Sequence, residues 1–452
     1  MTQRTREDVS RVIKAYDVRG LVDEEVTPEF IRDVGAAFAV LLRAEGETRI
    51  AVGHDMRPSS PELAAAFSEG ARAQGLDVVM LGLNSTDQLY FAAGTLDCAG
   101  AMFTASHNPA EYNGIKLCRS GARPVSQDTG LSDIIDMLVD GVPAYEGAEG
   151  VERQRDTLEV YGEYLRDLVD LHSIRPLVVA VDAANGMAGH TVPEVFKGLP
   201  LDVRALYFEL DGTFPNHEAN PLDPANLVDL QKFTVEQHAD IGLAFDGDAD
   251  RCLVVDENGE AMDGDQIMLI CALELMKRNK LHDNMLVTTV MSNVGLHQAM
   301  KAHGGKTVKT AVGDRYVLEE MLKHNYSIGG EQSGHIIFSE FAKTGDGILT
   351  AVQLLCAMVR NNKPLSEMGA VMTKFPQILL NVRVKNKNGW EEKAAIQEVI
   401  KKCQEELGEN GQILVRASGT EPLIRIMAEG PKQERLEQIA NAIADVVTKE
   451  LA

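Results

Sequence analysis

The segment TASHNP carries a residue that could take part in phosphoryl chemistry. In this segment Ser106 presents a hydroxyl beside the imidazole of His107. A serine hydroxyl is a poor nucleophile until a neighbouring group activates it or it carries a phosphoryl group. Ser-His-Asn-Pro is also a good turn sequence, and most such turns have no catalytic role. The interpretation of Ser106 therefore depends on the rest of the chain.

A second segment, DGDADR, carries carboxylates at alternate positions, Asp246, Asp248 and Asp250. Alternate side chains of an extended segment point the same way. Three hard oxygen donors without a soft ligand favour Mg²⁺. A calcium-binding EF-hand loop is excluded, because Arg251 stands where that loop needs glycine and LVV after it is typical of a strand. The alternative interpretation is a solvated acidic turn.

A third segment, GEQSGH, combines three kinds of polar group between glycines. Glu331 supplies a carboxylate, Ser333 a hydroxyl and His335 an imidazole. Groups of this kind could hydrogen-bond the hydroxyls of a sugar. The alternative is a glycine turn with a structural glutamate.

A fourth segment, RASGTEPLIR, has the composition of an anion cradle. Arg416 and Arg425 flank small polar residues whose hydroxyls and backbone N–H groups can surround phosphate oxygens. These small residues are Ser418, Gly419 and Thr420. The segment lacks the lysine of a nucleotide-binding P-loop. The nearest such match, GGKT at 304–307, has methionine at 300 instead of the upstream glycine, so an ATPase is excluded.

Two cations and a tyrosine lie close to these segments. Lys116 follows Ser106 by ten residues, where it could neutralise phosphate or move a proton. Arg19 lies in YDVRG together with Tyr16. Each cation could equally be an ordinary surface charge.

Composition and charge restrict the class of protein. A chain of 452 residues is long enough for about three or four domains. A formal charge of −24 argues against nucleic acid and anionic membranes as partners. No apolar run has the length of a membrane span, and the N-terminus lacks the apolar centre of a signal peptide. The six cysteines are scattered, which indicates reduced thiols and a cytoplasmic location.

The chain repeats one pattern three times. Each unit alternates strands and helices, and a polar segment follows its third strand. These third strands are expected at Gly100–Phe103, Asp240–Phe245 and Tyr326–Ile328. We predict three similar α/β domains with mixed sheets and a smaller C-terminal α+β domain around a central cleft. The expected domain ranges are 1–150, 151–255, 256–370 and 371–452.

Together these segments indicate phosphoryl transfer on a polyol phosphate. A metal-dependent phosphatase with a serine–phosphate intermediate is a rival, but it needs a cluster of histidine ligands that the 11 histidines do not form. A non-catalytic binder of sugar phosphates is a second rival. Such a binder is expected to lose Ser106 or one of the aspartates, and all are present.

The four segments, in this order, resemble those of the α-D-phosphohexomutase superfamily over essentially the whole chain. TASHNP is similar to its phosphoserine loop, DGDADR to its metal loop, GEQSGH to its sugar loop and RASGTEP to its phosphate loop. The resemblance implies an intramolecular phosphotransferase of the isomerase class. Such an enzyme interconverts hexose 6-phosphate and hexose 1-phosphate through a phosphoserine and a bisphosphorylated sugar that turns over within the cleft.

The resemblance also implies roles for individual residues. Ser106 would carry the phosphoryl group and, with the three aspartates, bind Mg²⁺. Lys116 would be a general acid/base, while His107, Arg19, Arg251 and His335 would assist proton transfer or stabilise charge. The predicted substrate-binding residues are Tyr16, Glu331, Ser333, Arg416, Ser418, Gly419, Thr420 and Arg425. A hexose 1,6-bisphosphate is the expected activator, and the expected assembly is a monomer or a homodimer.

The two halves resemble different subfamilies. IKAYDVRG and DGTFPNHEANPL are similar to phosphomannomutase/phosphoglucomutase enzymes, whereas VGDRYVLE, GEQSGH, KTGDGI and FPQILLNVRV are similar to phosphoglucosamine mutases. Residues 1–255 hold 17 Arg and 4 Lys, and residues 256–452 hold 7 Arg and 16 Lys. We hypothesise a natural or engineered join around 251–256, with lineage drift as the alternative. The third domain favours glucosamine phosphate as substrate, and mannose or glucose phosphate is the alternative.

Overall fold

Four segments of the chain each form a separate β-sheet, in a computed structural model that describes residues 4–168, 176–418 and 422–451. The first three sheets mix parallel and antiparallel strands, and helices connect their strands. The fourth is a three-stranded antiparallel sheet. The predicted fold class is confirmed: three α/β domains precede a smaller α+β domain.

The first sheet has seven strands in the order β1-β5-β4-β2-β3-β7, with β6 paired to β5. Its strands are β1 (Val18–Leu21), β2 (Arg49–His54), β3 (Asp77–Leu83), β4 (Ala99–Phe103), β5 (Tyr112–Arg119), β6 (Arg123–Pro124) and β7 (Glu152–Gln154). Its helices are α1 (Arg6–Val12), α2 (Pro28–Ala44), α3 (Ser60–Ala73), α4 (Thr86–Leu96) and α5 (Leu131–Asp140). All five residues of β4 are buried, as expected for a central strand covered on both faces.

The second sheet has five strands in the order β12-β11-β10-β8-β9. Its strands are β8 (Leu177–Asp182), β9 (Leu201–Leu206), β10 (Ile241–Phe245), β11 (Cys252–Asp256) and β12 (Ala261–Met262). Its helices are α6 (Leu158–Asp167), α7 (Ala188–Val195) and α8 (Val228–Glu236). Both β10 and β11 are buried along their whole length.

The third sheet has four strands in the order β14-β13-β15-β16. Its strands are β13 (Met285–Thr289), β14 (Lys306–Thr310), β15 (Ile328–Gly330) and β16 (Ile336–Phe338). Its helices are α9 (Gly264–Lys277), α10 (Val294–Ala302), α11 (Asp314–His324), α12 (Gly347–Asn361) and α13 (Leu365–Gly369). One hydrophobic core is continuous from the second sheet into the third, so these two domains are packed as a unit.

The C-terminal domain has its own core. Its antiparallel strands are β17 (Gln377–Arg383), β18 (Gln412–Ala417) and β19 (Leu423–Glu429), in the order β17-β19-β18. Helices α14 (Ala394–Leu407) and α15 (Gln433–Leu451) complete it. Its buried side chains form a separate cluster around Ile396, Ile424 and Ile443. A core of its own allows this domain to move as a body.

The three larger sheets share one local topology, which confirms the repeat predicted from the sequence. In each, the first strand lies between the second and the third, all three are parallel, and a fourth strand pairs antiparallel to the third. The third strand of the third unit, expected at Tyr326–Ile328, is instead Ile328–Gly330. The strand is expected from the sequence to end before Gly329 and Gly330, because two consecutive glycines are typical of a turn. In the structure both belong to the strand, and Gly329 packs so closely that a Cβ there would lie 2.8 Å from the Met321 sulfur.

The sheets extend beyond two of the expected domain boundaries. Strand β7 pairs in parallel with β3 of the first sheet, although it lies after residue 150. Strand β12 pairs with β11 of the second sheet, although it lies after residue 255. Among the described helices, none has both the length and the apolar character needed to cross a membrane.

Candidate active site

The polar segments after the third strands of the three sheets meet in one cleft. They join β4 to β5, β10 to β11 and β15 to β16, and parallel strands direct such connections to the same edge of a sheet. The cleft has a volume of about 270 Å³. Eight residues that the sequence singled out line it: Tyr16, Arg19, Ser106, Lys116, Asp250, Arg251, Glu331 and His335.

Ser106 lies at the floor of this cleft and is 2% exposed. Its φ of 51° is in the left-handed region, and its N–H donates to the Thr104 hydroxyl at 2.9 Å. Its Oγ donates to Oδ2 of Asp246 at 2.9 Å and lies 3.3 Å from Nδ1 of His107. Burial, reinforced by nearby arginines, lowers the pKa of His107 to about 3, so this imidazole is neutral at ordinary pH.

The three aspartates of DGDADR converge as predicted. One ligand oxygen from each of Asp246, Asp248 and Asp250 lies within 4.8 Å of the others, and all three are buried. Burial and the two neighbouring carboxylates raise the pKa of Asp246 well above its ordinary value. Such a concentration of negative charge requires a cation beside it.

Lys116 supplies positive charge to this cluster. Its Nζ donates to Oδ2 of Asp248 and to Oδ2 of Asp250, both at 2.6 Å. Burial alone lowers the pKa of Lys116, but the two carboxylates outweigh it and raise that pKa above its ordinary value. Lys116 therefore holds its proton in this arrangement.

The aspartate cluster fits a hard divalent cation. Oδ1 of Asp248 and Oδ1 of Asp250 are buried and have no hydrogen-bond partner in the described part of the chain. A Cβ on Gly247 would lie 2.5 Å from the Ser106 carbonyl oxygen, so only glycine allows the two loops to approach this closely. Carboxylate oxygens directed toward one point beside a hydroxyl are the donor set that Mg²⁺ prefers.

His335 and Arg251 approach the same cluster. Nδ1 of His335 lies 3.6 Å from Asp250, while its Nε2 accepts the N–H of Gly345 at 3.0 Å. Nε of Arg251 lies 3.8 Å from Oδ2 of Asp246 and 3.8 Å from Oδ1 of Asp250. Because Nε2 of His335 accepts the hydrogen bond from Gly345, the proton of the neutral ring lies on Nδ1, toward Asp250.

The sugar-loop residues present unused polar atoms. Oε1 of Glu331 accepts the N–H of Gly313 at 3.0 Å, and burial raises the pKa of this carboxyl. Oγ of Ser333 is buried without a hydrogen-bond partner among the residues described. Both side chains could hydrogen-bond a ligand hydroxyl.

The first and third domains touch across the mouth of the cleft. The hydroxyls of Tyr16 and Tyr316 are 3.1 Å apart, and the two rings pack edge to face. Arg315 donates to Oγ of Ser126 at 2.8 Å. Arg19 donates to the side chain of Asn108 at 2.6 Å, next to the serine loop.

The C-terminal arginines lie outside the described lining of the cleft. Arg416 and Arg425 are directly opposite one another on β18 and β19. Burial and the charge of Arg425 lower the pKa of Arg416. Like charges facing each other across a strand pair are destabilising, and a bound anion relieves this repulsion. Arg425 also donates to Oγ of Ser418 at 3.5 Å, whereas Gly419 and Thr420 lie outside the described residues.

Arg57 is a residue that the sequence did not single out. Its guanidinium donates to four carbonyl oxygens of the segment around Ser106, at 2.6 to 3.0 Å. The accepting residues are Ser106, Asn108, Pro109 and Tyr112. Nε of Arg57 lies 3.3 Å from Asp55, and both side chains are completely buried. Arg57 thus holds the left-handed turn at Ser106 in place.

Thr86 is a second residue that sequence reasoning missed. Its hydroxyl donates to Oδ2 of Asp248 at 2.6 Å, and its N–H donates to the Asp248 carbonyl at 3.2 Å. Ser85 caps the helix that Thr86 begins, so a rigid element carries the contact. In the sequence, Ser85 as a helix-capping residue is the local feature that indicates the start of this helix.

Comparison with known proteins identifies the class to which this fold and site belong. Family profiles for the four domains of phosphoglucomutase/phosphomannomutase match residues 10–139, 159–259, 263–375 and 379–446. The chain belongs to the phosphoglucomutase/phosphomannomutase family, within the α-D-phosphohexomutase superfamily. It is an enzyme of the isomerase class that acts by phosphoryl transfer.

One sequence relative and two solved structures show which members of the family this chain is similar to. The chain is 44% identical to a phosphoglucosamine mutase of Symbiobacterium thermophilum, over 98% of this chain and 99% of the relative. A crystal structure of a phosphoglucomutase/phosphomannomutase family protein from Burkholderia thailandensis superposes with a TM-score of 0.83 at 27% identity, covering 96% of both chains. The fold is also that of Aspergillus fumigatus N-acetylphosphoglucosamine mutase in complex with GlcNAc-6P and magnesium, with a TM-score of 0.63 at 19% identity over 88% of this chain and 82% of that one.

The hypothesis of a join near the metal loop stays a prediction. Relatives of one subfamily match the chain from end to end, and their identities are averages over both halves. In the structure the expected join falls in β11, which pairs with β10 on one side and β12 on the other. A join at this place would unite two parental sequences within one sheet.

Proposed function

We propose that this enzyme interconverts glucosamine 6-phosphate and glucosamine 1-phosphate through a phosphoserine at Ser106. The observation that carries the proposal is the contact between Oγ of Ser106 and Asp246, at the floor of the cleft. The full-length similarity to a phosphoglucosamine mutase supports the choice of sugar. Mannose or glucose phosphate is the alternative substrate.

The reaction consists of two transfers in opposite directions. The P–Oγ bond of phosphorylated Ser106 breaks while a bond forms between phosphorus and a free hydroxyl oxygen of the sugar phosphate. The resulting bisphosphate reorients in the cleft, and its other phosphoryl group returns to Ser106. Each transfer moves one hydroxyl proton to a base and leaves one oxygen of the previous donor to be protonated.

Three residues are placed to move these protons and balance charge. Neutral His107, with Nδ1 at 3.3 Å from Oγ, would orient the Ser106 hydroxyl and relay its proton when the phosphoryl group returns, because its low pKa prevents it from keeping that proton. Lys116, the predicted general acid/base, is held in its charged form by Asp248 and Asp250 and would balance negative charge on the transferring group. Arg251 stabilises negative charge that spreads over the transferring group.

Asp246, Asp248 and Asp250, with a phosphate oxygen on Ser106, would hold Mg²⁺. When bound, the ion supplies positive charge that neutralises the phosphoryl oxygens. The buried, unpartnered carboxylate oxygens support this assignment. Ser106 is held against these aspartates by the four hydrogen bonds of Arg57.

The remaining predicted residues would orient the substrate. Glu331 and Ser333 would bind sugar hydroxyls from the third domain. Arg416 and Arg425, with the small polar residues between them, would grip the phosphate that is not being transferred. The C-terminal domain, with a core of its own, would close over the cleft and exclude water from the phosphoserine.

Three further assignments belong to the proposal. A hexose 1,6-bisphosphate would phosphorylate Ser106 and so act as activator. The chain would work in the cytoplasm, in agreement with its six buried, reduced cysteine thiols. It would work as a monomer or a homodimer.

A coupled assay with Mg²⁺ and a trace of hexose 1,6-bisphosphate tests the proposal. Glucosamine phosphate is expected to have the highest kcat/KM of the three hexose phosphates, with no turnover by Ser106→Ala. Ser120→Ala is the matched control, because this serine is partly exposed and its hydroxyl donates to Asp97, far from the aspartate cluster. Faster turnover of mannose or glucose phosphate would assign the alternative specificity. No turnover of any of them by a folded protein would favour a non-catalytic binder.

A further inference from the structure

A second cavity lies outside the catalytic cleft, where the first, second and third domains meet. Its volume of about 560 Å³ is in the range of sites for small organic ligands. Helix α4, helix α6 and the segment 339–346 form its walls. Its lining shares only Tyr90 with that of the catalytic cleft. The mutase reaction proposed above leaves this cavity unused.

Asp87 lies in the lining of this cavity and is 2% exposed. Among the described residues, its carboxyl oxygens meet no hydrogen-bond donor apart from a proton that Asp87 can share with Asp346. Its neighbour is a second carboxyl, that of Asp346, whose oxygens accept from the Tyr161 hydroxyl at 2.9 Å and the Leu349 N–H at 2.7 Å. A buried carboxyl beside another carboxyl must either keep a proton or meet a cation.

The walls beside Asp87 are aromatic. The ring of Phe91 lies 5.6 Å from that of Tyr161 and 5.0 Å from that of Tyr164, measured between centroids. Aromatic faces attract organic cations and cover their apolar parts. Glu163, Asp167 and Glu340 add negative charge to the lining, against one cation, Lys343. The cavity thus combines negative charge with an apolar surface.

We propose that this cavity binds a small organic amine, with its ammonium group against Asp87 and its apolar body against Phe91, Tyr161 and Tyr164. The ammonium supplies the donors that Asp87 lacks. The aromatic walls distinguish an organic amine from a bare metal ion, which would need more oxygen ligands than this position offers. This site is distinct from the phosphosugar cleft.

The two carboxyls are directly connected to the catalytic loops. Thr86, next to Asp87, donates to Asp248 at 2.6 Å. The residues on either side of Asp346 donate as well: Gly345 to His335 at 3.0 Å, and Gly347 to the Ala249 carbonyl at 3.1 Å. An amine in the cavity therefore lies one residue away from contacts that hold the metal loop.

Calorimetric titration of the full chain with 2-phenylethylamine tests the proposal, with 2-phenylethanol as the neutral isostere. We expect saturable binding of the amine and none of the alcohol. Asp87→Asn is expected to weaken binding about ten-fold or more, since it removes a charged hydrogen-bond acceptor. Gly94→Leu tests the cavity independently, because a Cβ on this helical glycine meets nothing within 4 Å and leucine favours the helix. It is expected to block binding without unfolding the chain.

The matched control is Glu340→Gln, a more exposed carboxylate in the lining of the same cavity, with 58% side-chain exposure. Its affinity for the amine is expected to stay within about two-fold of the wild type. Absence of saturable binding to the wild type overturns the proposal. So does equal binding of the alcohol, an unchanged affinity in Gly94→Leu, or a loss in Glu340→Gln as large as that in Asp87→Asn. If Asp87→Asn does not fold, the titration of Gly94→Leu with the amine and of the wild type with the alcohol tests whether the cavity binds the amine.

Discussion

The Ser106 hydroxyl donates to Asp246 at 2.9 Å, although 140 residues separate the two in the chain. Each residue follows the third strand of its own sheet, so the contact arises from two copies of one topology facing each other. Gly247 makes the approach possible, because any side chain there would collide with the Ser106 carbonyl. The nucleophile and the proposed metal ligands are therefore brought together by the packing of domains.

Asp246→Asn is expected to weaken the Mg²⁺ dependence of the reaction. Loss of one carboxylate charge at the cluster should raise the Mg²⁺ concentration needed for half-maximal activity by about 10- to 100-fold. A titration of activity with Mg²⁺ measures this shift. Asp202→Asn, an exposed carboxylate in the same domain, should leave the titration unchanged. An unchanged titration for Asp246→Asn would remove it from the metal site.

Arg57→Met is expected to destabilise the protein and to slow turnover. It leaves the Asp55 carboxylate buried without its partner, which costs about 3 to 5 kcal/mol in the free energy of unfolding. Adding Asp55→Leu should restore part of the stability but not the turnover, because the carbonyls around Ser106 stay without their donor. Urea denaturation and kcat measure the two effects. Arg72→Met, at a partly exposed ion pair in the same domain, is the control. Recovery of kcat in the double variant would refute the positioning role of Arg57.

Arg425→Met is expected to raise KM far more than it lowers kcat. Loss of charge-assisted hydrogen bonds to phosphate corresponds to about 10- to 100-fold in KM. The variant should be as stable as the wild type or slightly more so, because it relieves the repulsion with Arg416 across the strand pair. Arg383→Met, an exposed position on the same sheet, serves as control. A lower Tm with an unchanged KM would show a structural role only.

The burial of His297 is expected to lower the free energy of unfolding in acid. Burial, with Lys309 nearby, lowers its pKa to about 4, while the unfolded chain binds the proton near 6.5. The folded state therefore loses stability as the pH falls from about 6.5 toward 4, by about 2 kcal/mol at pH 5. Urea midpoints at pH 8 and pH 5 measure this loss, which His297→Gln should reduce. Equal pH dependence in the variant and the wild type would contradict the assignment.

The catalytic segments could be predicted because their chemistry is contiguous in sequence. DGDADR and GEQSGH each place several functional groups within a few residues, directly after an apolar strand. The repeat of that arrangement predicted three similar domains and one shared cleft. The topology confirms the repeat, including the antiparallel strand that follows each catalytic segment.

Arg57 and Asp87 could not be found in the same way. Arg57 acts on carbonyl oxygens 49 to 55 residues further along the chain, and a carbonyl carries no residue identity. Asp87 lies in the first turn of a helix, where an acidic residue is ordinary in any surface helix. Its burial depends on α6 and Asp346, which belong to other domains. Local sequence patterns carry no information on contacts between domains, so these two roles could not be predicted.

The most direct test of the central claim is the phosphorylation state of Ser106. The full chain is incubated with glucosamine 1,6-bisphosphate, and the intact mass and the fragment spectra are recorded before and after glucosamine 6-phosphate is added. We expect one phosphoryl group, located on Ser106, that glucosamine 6-phosphate then removes as it becomes the bisphosphate. Turnover that proceeds with Ser106 unmodified throughout, or with the phosphoryl group on another residue, would contradict the account.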